Sequence, residues 1–383
     1  MHLRALLPSL AVQLLAWPQV SQARAVEDSQ YQRVGRAVNG TSPCNQTALP
    51  VCEEFTVPIH VDKTAPGEFS LENYNIKSLF AFAGRQVLVE ADYDMSVRLC
   101  EPAAGIERKD TLQLLLHGAT FSKIMWDFPY KPETYSWTRF MTNAGYTTLA
   151  VDFIGVGNSS KPDGLFEVHT ETFVQTIHNF IQTIRAEGFM GRTYDKIAMA
   201  GFSVGSIVAN SIADRYPDDA DIIVLLGVTW DLLWVYPAFL SGMQTDAGVI
   251  DPERWGYLPD FYQTHPSIEA REVACFWGEF DEGALEMDFE TRDMDTLGMA
   301  ISFTYHLVTA KEFSGPVFLG IGQQDTTFCR KTCGSQPYAV YDRFPQANDH
   351  VVKVYENTGH ALMYHHAAPN LYRDVQDFLD SHI

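Results

Sequence analysis

The pentapeptide Gly201-Phe202-Ser203-Val204-Gly205 constrains this chain more than any other segment. It follows the apolar run 196–200 and opens a stretch, 204–216, that reads as a helix and stops before Pro217. A strand that passes straight into a helix through Gly-x-Ser-x-Gly makes a very sharp turn, and only small residues fit on either side of the serine. Gly201 and Gly205 supply them. Such a turn strains the serine backbone, lifts its hydroxyl above the sheet edge and points the N-terminus of the next helix at it. Ser203 is therefore the candidate nucleophile, at a nucleophile elbow.

Other segments say what surrounds that turn. Residues 92–100 alternate partly, as a half-buried strand does. The runs 112–116, 147–153, 222–228, 316–321 and 351–355 are short and almost continuously apolar, which suits parallel strands covered on both faces. Helical spacing appears in 134–144, 170–187 and 371–379. In the second of these, Phe173, Ile177, Phe180, Ile181 and Ile184 form one stripe and Gly188 ends it. Alternating strands and helices predict an α/β fold with a mostly parallel central sheet and helices on both faces. Residues 231–313 break the alternation with an irregular aromatic stretch, read as an inserted cap or lid. The core is then 76–230 with 314–383, and the polar residues 24–75 read as an N-terminal arm. Asp231 and Pro237 argue against a membrane span across 222–240.

A serine hydroxyl needs a base to take its proton. His360 closes the loop 355–360 after the last strand-like run and before the final helix, which makes it the expected base. His365 and His366 are rivals near the start of that helix and are expected to face solvent; His265 and His306 fall in the insertion and are expected to be structural. The group that orients the imidazole is expected to be Asp325, just beyond the run 316–321, giving the chain order Ser, Asp, His. Asp152 is its rival, but it begins a Gly-rich turn and reads as structural. Two backbone donors must hold the oxyanion. One is the Val204 N–H. The other is expected from the loop after His117-Gly118: the Ala119 N–H, with Thr120 as the alternative. His117 itself reads as a group that fixes this loop.

The first residues look like a secretory leader: Arg4, an apolar run 5–17, then small residues at Ser21, Ala23 and Ala25. Residues 1–23 are therefore expected to be removed, leaving a secreted chain with no membrane span. Export makes the six cysteines readable as disulfides. Cys329 and Cys333 are close enough to close a small loop, and Cys52 with Cys100 is a further candidate pair. Asn39, Asn45 and Asn158 stand in glycosylation sequons. The formal net charge of −21 disfavours nucleic acid and anionic lipid. The sequence has neither the ligand spacing of a metal site nor a third glycine in register after Gly155-Val156-Gly157 for a dinucleotide loop.

Taken together, His117-Gly118, residues 152–159, Gly201 to Gly205, Asp325 and Asn357-Thr358-Gly359-His360 resemble the α/β-hydrolase superfamily, over 90–230 and 314–383. The likeness is greatest to secreted fungal esterase- or lipase-like hydrolases with a short His-Gly oxyanion motif, which Cys329 and Cys333 also fit. The resemblance implies the α/β-hydrolase fold and cofactor-free ester chemistry, and permits a role in fungal secondary metabolism. The chain departs from epoxide hydrolases and haloalkane dehalogenases, because serine stands at the nucleophile position, and it lacks the Gly-Gly-Gly oxyanion run of many carboxylesterases. The expected partner is an apolar small-molecule ester or lactone met by the cap aromatics. Acyl transfer, thioester or amide cleavage on the same residues, and a binding protein on the same scaffold, are the alternatives.

Overall fold

The computed structural model describes residues 32–33, 49–64, 89–242, 244–329 and 331–383. The leader and the sequons at Asn39 and Asn45 lie outside them. In chain order the strands are β1 (Gln32–Arg33), β2 (Val51–Thr64), β3 (Val89–Glu101), β4 (Thr111–Leu116), β5 (Thr147–Val151), β6 (Lys196–Phe202), β7 (Ile222–Leu226), β8 (Thr245–Asp246), β9 (Tyr262–Thr264), β10 (Asp295–Thr296), β11 (Val317–Gly322) and β12 (His350–Tyr355).

The nearly continuous apolar runs become the middle of a sheet ordered β1-β2-β3-β5-β4-β6-β7-β11-β12. From β5 to β12 all pairings are parallel; β1, β2 and β3 join antiparallel at one edge. Side chains alternate between the two faces of a strand, so a parallel strand covered on both sides is apolar on both faces, and a buried polar exception such as Gln113, which accepts the Trp137 indole N–H at 2.9 Å, needs a partner. β4 shows this: Leu112, Leu114 and Leu116 pack into one core while Leu115 packs into the other. The first core includes residues of helices Thr170–Glu187 and Val204–Arg215. The second takes residues from Trp137–Asn143 and Ala368–Asp380.

The N-terminal arm needs a correction. Residues 51–64 are not an appendage but β2, which pairs with β3 from Val51–Glu101 to Thr64–Val89. Phe55, Val57, Ile59 and Val61 are buried on one face while polar residues alternate on the other. Pro58 and the neighbouring acidic residues hide that period in the sequence, because they suit a strand with one solvated face. Cys52 stands opposite Cys100 in this register and is bonded to it. Cys329 is bonded to Cys333, while Cys275 is a buried free thiol.

Between β7 and β11 the chain leaves the sheet for short helices and the small antiparallel sheet β10-β9-β8. This segment has a cluster of its own, in which Trp255 and Tyr262 pack with Ala247 and Met294. Among the described residues, no helix is long and apolar enough to cross a membrane.

Candidate active site

β6 ends at Phe202, and Ser203 adopts φ 52 and ψ −114 before helix Val204–Arg215 begins. Positive φ in a non-glycine residue is strained. Its neighbours cannot carry a side chain. A Cβ on Gly201 would lie 2.3 Å from the Gly205 backbone, and one on Gly205 would lie 2.1 Å from the Leu116 carbonyl oxygen. The turn is held by the Ser203 N–H, which donates to the Leu226 carbonyl at 2.8 Å. The Ser206 hydroxyl adds a bond of 2.7 Å to the Gly201 carbonyl.

The loops after β11 and β12 are tied together. Gln323 N–H donates to Tyr355 O at 2.8 Å, and Gln324 N–H to Thr358 O at 3.1 Å. That pairing carries Asp325 to His360. His360 Nδ1 lies 2.7 Å from Asp325 Oδ2, and its Nε2 lies 3.0 Å from Ser203 Oγ. Oδ1 of Asp325 accepts from the N–H groups of Thr327 and Phe328, each at 2.9 Å. A carboxylate so held accepts the Nδ1 proton and leaves the Nε2 lone pair facing the serine hydroxyl. All three side chains are buried, Asp325 completely. The Cys329–Cys333 bridge closes the turn just after Asp325, where Cys329 N–H donates to Asp325 O at 2.9 Å.

Val204 is the first residue of its helix, so its N–H has no partner within the helix. Ala119 lines the cleft in front of Ser203. The loop carrying Ala119 is pinned at several points. The His117 ring donates from Nδ1 to Gly118 O at 2.8 Å and accepts the Phe153 N–H at Nε2 at 3.1 Å. Burial lowers its pKa to about 4, so the ring is a neutral tether. Asp152 Oδ2 pairs with Lys123 Nζ at 2.6 Å, and Asp152 Oδ1 accepts the Lys123 N–H at 2.8 Å.

Arg271, from the helix Ile268–Cys275 above the sheet, is the group that sequence reasoning missed. Its guanidinium is buried, stacks 3.9 Å from the Phe121 ring and donates to the Thr120 hydroxyl. It is paired with Asp288 through two bonds of 2.7 and 2.9 Å. Burial works against the charge, but Asp288 keeps it above its ordinary value. His265 accepts from Arg271 at 3.1 Å and is held neutral by burial and by the arginines beside it. An arginine far along the chain has no sequence signal linking it to residue 120; only the fold supplies one. Asp288→Ala strands that cation, and unpaired buried charge is costly. The expected loss is roughly 3–5 kcal/mol of stability, read as a lower urea midpoint with an unchanged m-value. A loss under about 1 kcal/mol would mean that Arg271 reaches solvent in the variant.

The other histidines divide. His366 is exposed as expected, but His365 is not. It is fully buried, and its Nε2 accepts the N–H groups of Trp277 and Gly359 at 3.2 and 3.1 Å. It therefore braces the loop that carries His360, and burial lowers its pKa to about 4. The short 3-10 turn Leu362–Tyr364 moves it inward, ahead of the helix Ala368–Asp380. His306 is buried against the Ser211 hydroxyl.

The cleft at Ser203 is narrow, about 30 Å³, and is bounded by Ala119, Phe121, Gln244, His265, Cys275 and His360 among others. Phe121 is an aromatic wall, but it comes from the loop after β4. The aromatics of 231–313 with described side chains do not line this cleft. Trp255 and Tyr262 pack within the insertion, and Phe276 packs into the core. Burial pushes the Cys275 thiol up to about 12, so it does not compete as a nucleophile. A larger cleft of about 580 Å³ lies elsewhere, lined by Arg98, Lys123, Asp152, Arg254 and the exposed sequon residue Asn158. It shares no lining residue with the Ser203 cleft and holds no nucleophile–base pair, so size does not identify the site. Among the described residues, no cluster could hold a metal ion.

The model of the alpha/beta hydrolase family matches residues 113–371, more than half of the chain. Epoxide hydrolase 3 of Xenopus tropicalis is 26% identical over 133 residues, which are 35% of this chain and 31% of that protein. This chain thus spans about a third of that curated relative. Among solved structures, a soluble variant of monoglyceride lipase from Saccharomyces cerevisiae superposes with a TM-score of 0.53 at 14% identity, covering 76% of this chain and 92% of that one. A hydrolase-fold protein from Chitinophaga pinensis gives 0.51 at 18% identity, covering 76% and 94%. At such identities the superpositions speak for the fold alone.

Proposed function

Because the chain belongs to the alpha/beta hydrolase family, we propose that it is a serine hydrolase that cleaves an ester or lactone bond through an acyl-enzyme on Ser203. The observation that carries this reading is the relay in which His360 reaches Ser203 Oγ at 3.0 Å and Asp325 at 2.7 Å. His360 Nε2 takes the hydroxyl proton as Ser203 Oγ attacks the carbonyl carbon. The charge that collects on the carbonyl oxygen is met by the N–H groups of Val204 and Ala119. His360 then gives its proton to the departing alcohol, and water repeats the cycle to release the acid. The serine at the elbow separates this chemistry from the aspartate route to epoxides, despite the likeness to an epoxide hydrolase.

Export is part of the same reading. The leader-like start supports it, as do two disulfides that fit an oxidising compartment. Asn158 would then carry a glycan in the larger cleft, clear of Ser203.

The test is covalent. A fluorophosphonate probe should add the mass of one phosphonyl group, with loss of fluoride, and peptide mapping should find it on Ser203. Wild-type protein that stays unlabelled, or is labelled elsewhere, overturns the reading. Hydrolysis or transfer is then settled by product analysis with and without an added alcohol.

A further inference from the structure

One buried carboxyl near the site takes no part in this mechanism. Asp295, at the start of β10, is 3% exposed. Its Oδ2 accepts from Gln244 Nε2 at 3.1 Å, and the side chain of Gln263, opposite it on β9, also steadies the carboxyl, yet no donor meets Oδ1 in hydrogen-bond geometry. The residue lines a slot of about 10 Å³, whose other walls are mostly apolar, Phe153, Phe173, Met294 and Met299 among them, while the polar His117 and Thr296 there spend their hydrogen bonds on neighbouring backbone. The slot touches both proposed oxyanion residues and shares Ala119 with the Ser203 cleft. Gln244 lines that cleft while holding Asp295 in the slot.

An unpartnered carboxyl oxygen among apolar walls is costly, and native proteins leave few of them. The space suits one group about the size of a water molecule. Burial pushes the carboxyl up to about 7, while Gln263, Gln244 and Arg271 pull the other way. Both of its forms are therefore present near neutral pH. A hydroxyl serves either form: it donates to the carboxylate or accepts from the acid. An ammonium suits the slot less, because its other donors would face Phe and Met side chains.

We propose that Asp295 is a specificity-determining residue, whose Oδ1 binds a hydroxyl carried on the substrate chain, so that hydroxyl-bearing esters or lactones are preferred over plain alkyl ones. This rests on Ser203 being the nucleophile. The test uses near-isosteric pairs: ethyl 4-hydroxybutyrate against ethyl valerate, ethyl 3-hydroxybutyrate against ethyl 3-methylbutyrate, and 2-hydroxyethyl butyrate against propyl butyrate. In the wild type, at least one hydroxyl ester should exceed its partner in kcat/KM by about 10-fold or more. Asp295→Leu should bring that ratio near one. Asp295→Asn keeps an acceptor oxygen and should retain part of it. The ratio within each protein is the readout, with a melting curve showing that each variant is folded. Wild-type ratios near one for every pair, or a ratio unchanged in Asp295→Leu, would overturn the proposal and leave the slot to an ordered water only. If fluorophosphonate fails to label Ser203, the parent reading falls and takes this one with it; labelling without hydroxyl preference sinks this one alone.

Discussion

Ser203→Ala and His360→Ala are each expected to lower kcat on an activated ester by about 10⁶-fold, and the double variant by no more than either. A base with no hydroxyl to deprotonate does nothing, and a hydroxyl with no base is a poor nucleophile. The two side chains, 3.0 Å apart, therefore act as one unit. The rate that survives should exceed that of water by about 10³-fold, because the proposed oxyanion donors, the Val204 and Ala119 N–H groups, stay in place. Steady-state kinetics on p-nitrophenyl acetate, with active-site titration to exclude wild-type contamination, measure this. Losses that multiply in the double variant would show that Ser203 and His360 serve separate steps. A His360→Ala variant still labelled at the wild-type rate would point to another base.

Much of this site was legible because its chemistry is local. The elbow needs glycines two residues either side of the serine and a strand just before it, all within the segment 196–205. Likewise Asp325 and His360 each stand just past a strand, and adjacent parallel strands bring their ends to one edge. What stayed hidden depends on contacts between distant segments. β2 was missed because Pro58 and the acidic residues of its solvated face mask Phe55, Val57, Ile59 and Val61. His365 reads as the start of an exposed helix, yet a 3-10 turn buries it against Trp277. The aromatics of the insertion suggested a substrate wall, but hydrophobic side chains gather wherever burial is available, and Trp255 found it inside the insertion. Arg271 and Asp295 carry no local mark at all: a lone arginine or aspartate in an irregular stretch reads as surface until the fold buries it.

Asp325→Asn is expected to cost about 10⁴-fold in kcat while leaving the fold in place. Asparagine retains an oxygen for the Thr327 and Phe328 N–H groups, so the turn beside the Cys329–Cys333 bridge keeps its anchors. The atom facing His360 Nδ1 then becomes an amide NH₂, which donates rather than accepts. The imidazole must place its proton on Nε2, where it points at Ser203 Oγ and leaves no lone pair to receive the hydroxyl proton. Fluorophosphonate labelling should slow in parallel with ester turnover, since both need the same deprotonation, and the melting curve should barely move. Asp325→Ala should behave differently: it also removes the acceptor for two backbone donors, so stability should fall together with activity. That contrast separates the orientation of the base from the building of the loop. An Asp325→Asn enzyme within about 10-fold of wild type would mean that His360 keeps its working tautomer without this carboxylate, and the orienting role would then have to pass to another residue.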